Sequence, residues 1–588
     1  MKRSKGSREA HRSNEYRKDV QRKRRFSVNR WDIEKEELYY YHTAKATKKL
    51  ENSSNMPVPE DNSVDYRILN FTTVFGEISQ FVKCKKCDSD VQSYTEDIQG
   101  LGFKIMISCK QCKPTLIPSC AKIGLAYEIN RRFAFAMRCL GQGANAEKKF
   151  CGLMDLPPPV TQKAHDKIRN NIYEASKTVA RSLMKQAIKE EQQRTSLEEE
   201  VDGEITDLGV SGDGTWQKRG YTSAFGVCSL IGVHSNKVLD VNIKSAYCKT
   251  CEVWSKHDGT EEYNEWKNEH EKVCPVNHEG SSGKMEVDAI TEMFHRSEKQ
   301  YGVRYVNYIG DGDSKTFKGV IESKPYSEKV TINKKECIGH IQKRMGARLR
   351  KCKKDNKGIG GRNKLSAKMI DKLTVYYGFA IRRNFDSVKK MREAIWATFY
   401  HYSSTTGNPQ HHLCPEGSES WCEWHQAKAK DTLDRYEQSF HALPTEVLDA
   451  IHPIYADLSN ETLLQRCLGG YTQNSNESFN NILWRIAPKN TNSSSTIVET
   501  AAYLAVSIFN EGASSLLKVM ATMGVAVGRN AAQFALSNDI RRCSQADIRA
   551  QHATREARIQ RRIAKNQKEE DNITEEGLFY APGIDDFM

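Results

Sequence analysis

Residues 208–247 read LGVSGDGTWQKRGYTSAFGVCSLIGVHSNKVLDVNIKSAY. Three runs rich in β-branched and other apolar residues, LGVSGDGTW, SAFGVCSLIGV and KVLDVNIKSAY, follow one another with short turns such as His234-Ser235-Asn236-Lys237, and predict three consecutive strands. A Cys/His-rich stretch (248–278) and a helix (about 284–300) come next. A fourth strand, RYVNYIG, then runs straight into Asp311-Gly312-Asp313. The first strand carries Asp213 near its end, and far downstream Glu477 lies in QNSNESFNN at the start of a predicted helix.

Asp-Gly is a common turn dipeptide, and an acid in a helix's first turn often serves the macrodipole. The order of the elements adds weight to these acids. An aspartate at the end of a first strand, another at the end of a fourth, and a carboxylate on a later helix is the layout of ribonuclease H-like nucleases and transposases. Such sites hold two divalent metals about 3.5–4 Å apart across an in-line phosphoryl displacement. Hard carboxylate oxygens on rigid elements suit Mg²⁺ or Mn²⁺. Asp213, Asp311 and Glu477 are therefore the candidate catalytic residues, with Asp313 as the alternative second acid.

Outward from this core the chain divides by composition. Residues 1–65 form a basic arm and linker: twelve Lys/Arg against three acids in the first thirty residues suit a nuclear-import signal or a DNA tether. Residues 66–120 alternate β-type runs with paired cysteines, residues 121–205 are helical, and 206–335 hold the first part of the core with its Cys/His insert. Residues 336–465 are a helical, basic insertion, 466–530 complete the core with Glu477, and 531–588 are a basic helix and acidic tail. From Lys343 to Lys368 there are eleven Lys/Arg and one acid, Asp355. Lys343, Arg344, Arg348, Arg350, Lys351, Lys353 and Lys354 are the candidates for neutralising DNA phosphates.

Seventeen cysteines with no apolar leader for secretion point to metal rather than disulfides. Cys84-x-x-Cys87 with Cys109-x-x-Cys112 reads as two knuckles of a tetrahedral zinc ribbon. A second set is Cys248, Cys251, Cys274 and His278, with His257 and His270 between the pairs. A third is His411, Cys414 and Cys422, with His412 and His425 close by; the grouping of these ligands in space stays open. The net charge of +14 favours an anionic partner, and no uninterrupted apolar run reaches about 18 residues, so a membrane span is not expected.

VSGDGTWQKRGYTSAFGVCSLIGV, YIGDGDSKTF, ECIGHIQKRMGARLRK and GGYTQNSNESFNNILWRIAPK together resemble the DDE transposases of Mutator-like DNA transposons, in their Cys-rich animal form. The resemblance spans about 125–510. It implies an α/β fold: a ribonuclease H-like core interrupted by a mostly helical insertion and preceded by a small zinc ribbon and helical segment. It implies Asp213, Asp311 and Glu477 as the triad, two Mg²⁺ or Mn²⁺ per site, and Cys337-x-x-His340 as a family signature near the pocket. It also implies structural zinc, a nuclear location, double-stranded DNA as partner (transposon terminal repeats and target), and a dimer or larger assembly to synapse two ends. The expected activity is cleavage and strand transfer at transposon ends. The alternative is a transposase-derived, zinc-containing DNA-binding regulator without catalysis.

Overall fold

The computed structural model describes residues 58–199, 206–218, 223–310, 314–491 and 493–552. The basic arm, Asp311, Asp313 and the acidic tail lie outside the described residues. The chain is mixed α/β, and its described residues divide into two compact units: Ile338–Gly470, and residues 58–337 together with Tyr471–Arg549.

The larger unit begins with helix α1 (Phe71–Phe81), capped by Asn70, whose side chain accepts from the Thr73 amide. An antiparallel three-stranded sheet follows, β1 (Val91–Gln99), β2 (Gly102–Cys109) and β3 (Thr115–Pro118), in that order. The tight β1–β2 turn needs Gly100, which sits at φ +62°. A short hairpin, β4 (Lys122–Ile123) and β5 (Ala126–Tyr127), leads into α2 (Glu128–Cys139), α3 (Ala144–Leu153) and the long α4 (Gln162–Glu199). Asn130 on α2 clamps the β1–β2 turn: its Oδ1 accepts from the Leu101 amide at 2.9 Å and its Nδ2 donates to the Gln99 carbonyl at 2.8 Å.

The central sheet contains β6 (Asp207–Trp216), β7 (Phe225–Gly232), β8 (Val238–Ser245), β9 (Arg304–Gly310) and β10 (Asn333–Glu336). Between β8 and β9 come α5 (Lys249–Trp254), α6 (Glu261–Glu271) and α7 (Ser282–Tyr301), and α8 (Ser314–Glu322) joins β9 to β10. The strand order is β10-β9-β6-β7-β8; β6 and β7 are antiparallel, as are β7 and β8, while β9 runs parallel to both β6 and β10. Every residue of β7 and β8 is buried, because helices cover both faces. Phe225, Val227 and Ile231 pack with α4 and the C-terminal helices, while Cys228 and Leu230 pack with Ala289, Ile290, Met293 and Phe294 of α7.

The smaller unit is helical: α9 (Ile338–Asp355), α10 (Ala367–Arg383), α11 (Val388–Ser403), α12 (Glu423–Ala429), α13 (Thr445–Leu458) and α14 (Glu461–Cys467). Ile338, Ile341, Met345 and Leu349 recur at helical spacing on α9 and enter one core with Leu373, Tyr377, Ile395, Val447 and Tyr455. The larger unit resumes with α15 (Asn474–Ile486), α16 (Ser495–Glu511), α17 (Ser514–Thr522) and α18 (Arg529–His552).

Candidate functional site

Strand β6 alternates between two environments. Leu208 and Val210 face the α7 core. Ser211, Asp213 and Thr215 face α15, which offers one polar side chain per turn: Asn476, Asn480 and Trp484. Four residues of helix rise about 6 Å and two residues of strand about 6.8 Å, so the rungs stay in step. Asn476, fully buried, accepts from Ser211 Oγ at 2.8 Å and donates to the Ser211 carbonyl at 3.1 Å. Asn480 Nδ2 donates to Asp213 Oδ2 at 2.8 Å, and Trp484 Nε1 donates to Thr215 Oγ1 at 2.8 Å. Glu477 lies in the first turn of the same helix and is exposed. The structure thus brings the helix carrying Glu477 onto the strand carrying Asp213.

The glycines flanking Asp213 are set by packing. A Cβ on Gly212 would come 2.5 Å from the buried ring of Tyr308, and one on Gly214 would come 2.9 Å from Glu286 Oε2. Glu286, near the start of α7, also accepts from Thr316 Oγ1 at 3.4 Å. Burial pushes the Cys228 thiol up, and the nearby Glu286 and Asp213 carboxylates add to it. Glu286 is a carboxylate near this strand that the sequence pattern does not single out; SGKMEVDAI contains no motif, and only the second glycine of Gly212-Asp213-Gly214 hints at a crowded neighbour.

A hard-cation fit can be judged from the donors present. Asp213 is half-buried and spends Oδ2 on Asn480, while Asn480 Oδ1 is shielded from solvent with no hydrogen-bond partner among the described residues. All of these donors are oxygens, which suits Mg²⁺ or Mn²⁺. Cys337 is buried just after β10, and His340 lies in the first turn of α9.

The Cys/His residues gather into three groups, each with its ligand atoms within 4.8 Å of one another. Zinc–sulfur bonds of about 2.3 Å in a tetrahedron put neighbouring sulfurs about 3.8 Å apart. The first group is Cys84, Cys87, Cys109 and Cys112, with Cys84–Cys112 at 3.9 Å and Cys87–Cys109 at 3.6 Å. Its thiols titrate apart: donors from the Ser89 side chain and backbone bring Cys87 down to about 6, while Cys87 and the other thiols push Cys112 up to about 12. Such crowding is relieved when a cation takes the thiolates.

The second group is Cys248, Cys251, Cys274 and His270, with Cys248 Sγ 3.3 Å from His270 Nε2 and Cys251–Cys274 at 3.5 Å. His278, chosen from its spacing to Cys274, is a correction. Its Nδ1 lies 3.1 Å from Asp288 and its Nε2 3.2 Å from the Ser281 carbonyl, so it ties the start of α7. His270 takes its place because α6 sets it four residues before Cys274, stacked on Trp266 at 4.7 Å. His257 stands against Trp254 at 5.5 Å.

The third group is His401, His411, Cys414 and Cys422, all buried. His401, in the last turn of α11, escapes a sequence reading because it looks like part of a helix. His411 Nδ1 faces Cys422 at 3.4 Å and its Nε2 meets Ser404 Oγ at 2.9 Å, which fixes the ring for ligation. His425 Nε2 bonds the His411 carbonyl at 3.0 Å, and His412 packs on Tyr400 at 4.9 Å. All three groups are compatible with structural zinc.

The cations of α9 divide. Arg348 pairs with Asp457, and Arg350 pairs with Asp371 at 2.9 Å. Lys351, Lys353 and Lys354 make no ion pair among the described residues, and Lys343 and Arg344 lie about two to three turns before them on the same helix. No helix among the described residues is long and apolar enough to cross a membrane.

The family model of Mutator-like transposases matches residues 65–422, from just before α1 through the third Cys/His group. No curated protein and no solved structure matches the chain. A match over more than half of the length, ordered through the ribbon, the sheet and the helical insertion, shows that the chain belongs to the Mutator-like transposase family.

Proposed function

We propose that the chain is a divalent-metal-dependent DNA transposase whose central sheet is a ribonuclease H-like core with Asp213, Asp311 and Glu477 as its triad. The observation that carries this reading is the strand order β10-β9-β6-β7-β8, with parallel β6 and β9 at its centre. Strand β9 ends at Gly310, one residue before Asp311, and its last pairs with β6 are Val210↔Tyr308 and Ser211↔Ile309, two residues short of Asp213. That register favours Asp311 over Asp313. Helix α15, hydrogen-bonded along β6, carries Glu477.

The protein's own part is positional. Asn476 and Trp484 fix α15 against β6, and Asn480 holds one carboxylate oxygen of Asp213. Bound cations would supply activation of water and then of a freed 3′-hydroxyl, with no covalent enzyme intermediate. The lysines of α9 suit sequence-independent contact with phosphates, and the three Cys/His groups suit zinc that stiffens the ribbon, the insert and the helical unit. A nuclear location and a dimer or larger assembly on paired DNA ends complete the reading.

The test is cleavage of DNA carrying the presumed transposon ends, and joining to a plasmid, with Mg²⁺ or Mn²⁺. Wild type should cut, while Asp213→Asn, Asp311→Asn and Glu477→Gln should bind but not cut. If Asp311→Asn cuts and Asp313→Asn does not, the second acid is Asp313. Binding of the ends by folded wild type without cutting, under any divalent metal, would favour the non-catalytic DNA-binding regulator.

A further inference from the structure

The ladder Asn476, Asn480, Trp484 on β6 has its open rung in the middle. Asn476 uses both ends of its amide, and the indole N–H of Trp484 has its acceptor. Among the described residues Asn480 uses only Nδ2, on Asp213 Oδ2; its Oδ1 is shielded from solvent and meets no hydrogen-bond partner there. Turning the amide over would set its oxygen against a carboxylate oxygen, so the orientation is fixed by charge. Gln473, two turns earlier at the cap of α15, repeats the pattern: Nε2 donates to the Gly212 carbonyl at 2.7 Å and Oε1 is buried without a partner among the described residues. Leaving a buried amide oxygen unsatisfied is costly, because its lost hydration is not repaid. Here the unused oxygen stands beside the candidate metal-binding aspartate.

Resting on the reading of Asp213 as a metal-binding acid, we propose that Asn480 Oδ1 is a further oxygen ligand of the divalent cation held by Asp213. One amide then does two things. Its N–H holds Asp213 Oδ2 in place, and its own oxygen adds a neutral hard donor. A neutral donor adds no like charge beside Asp213, which a fourth carboxylate would.

The test is direct titration of the full-length, zinc-loaded protein with Mn²⁺, followed by the electron paramagnetic resonance of free Mn²⁺, with folding checked by circular dichroism and zinc content. Asn480→Ala should weaken Mn²⁺ binding about tenfold or more. Asn480→Asp, which keeps an oxygen but loses the N–H donor and adds a like charge, should lose clearly less affinity than Asn480→Ala. Equal losses in Asn480→Ala and Asn480→Asp would reduce Asn480 to an orienting donor and overturn the assignment. So would unchanged affinity in Asn480→Ala while Asp213→Asn loses binding, and the metal site itself would then stand. If Asp213→Asn leaves Mn²⁺ binding unchanged, the metal-site reading falls and the assignment falls with it.

Discussion

Replacing Asn476 by alanine should loosen α15 from β6. The side chain is fully buried, and its amide meets Ser211 twice and Ser229 Oγ at 3.4 Å. Alanine leaves the Ser211 carbonyl without this donor, at a cost of about 1–3 kcal/mol, while the two serine hydroxyls can turn to other acceptors. The missing amide leaves a void of roughly 40 Å³, which adds about 1 kcal/mol at 24 cal/mol per Å³. The sum is about 2–4 kcal/mol. Denaturation of a chain with two units does not give a single free energy, so hydrogen exchange read by peptide mass spectrometry is the suitable assay. At 1.4 kcal/mol per tenfold, amides in 207–216 and 474–486 that open when the helix undocks should exchange about 30- to 1000-fold faster. Peptides from 338–470 should not change. If Asn476→Ala is folded and exchange in β6 and α15 stays within about threefold of wild type, below about 0.7 kcal/mol, then this amide does not dock the helix and the account of how Glu477 is placed is wrong.

Gly212→Ala should destabilise the sheet by about 1–3 kcal/mol through overpacking on Tyr308, and Gly212→Ala with Tyr308→Leu should recover part of it, read by hydrogen exchange of peptides from 207–216. His270→Ala should lose one zinc per chain by elemental analysis, whereas His278→Ala should keep the full complement; the reverse would restore the choice made from spacing. Lys351→Ala with Lys354→Ala should lower DNA affinity uniformly across sequences and flatten its dependence on log salt by about one unit for each phosphate no longer neutralised. Arg350→Ala, whose guanidinium is committed to Asp371, should change the slope less, as measured by fluorescence anisotropy over a salt series.

The family and the mixed α/β character are legible in the sequence because they rest on local signals: apolar runs of strand length, turn residues, and long ordered motifs. The paired cysteines are legible for a similar reason, since Cys-x-x-Cys is a contiguous knuckle. Histidine ligands are harder to read. His270 and His278 both stand four residues from Cys274, and only the helix that ends at Glu271 puts His270 on the sulfurs. His401 belongs to a helix whose other residues serve a core, so nothing nearby marks it. The ladder Asn476, Asn480, Trp484 could not be read at all. Its partners are 265 to 269 positions away, and a polar residue once per turn looks like an ordinary solvated face until a strand is laid against it. Pairing of charges is equally invisible, as Arg348 and Arg350 show beside Lys351.

The placement of the helical unit has a consequence for how the protein is made. Residues 338–470 emerge from the ribosome after β6, β7, β8, β9 and β10 and before α15. Until they fold, they form a slack tether whose closure costs roughly 4 kcal/mol by the loop-length relation. A unit with its own hydrophobic core can shorten that tether unaided. Zinc held by His401, His411, Cys414 and Cys422 would bind it further, and scarcity of zinc in the cell would then act as a checkpoint on maturation: the sheet would be synthesised, yet α15 would reach β6 late and Asp213 would wait for the helix that carries Glu477.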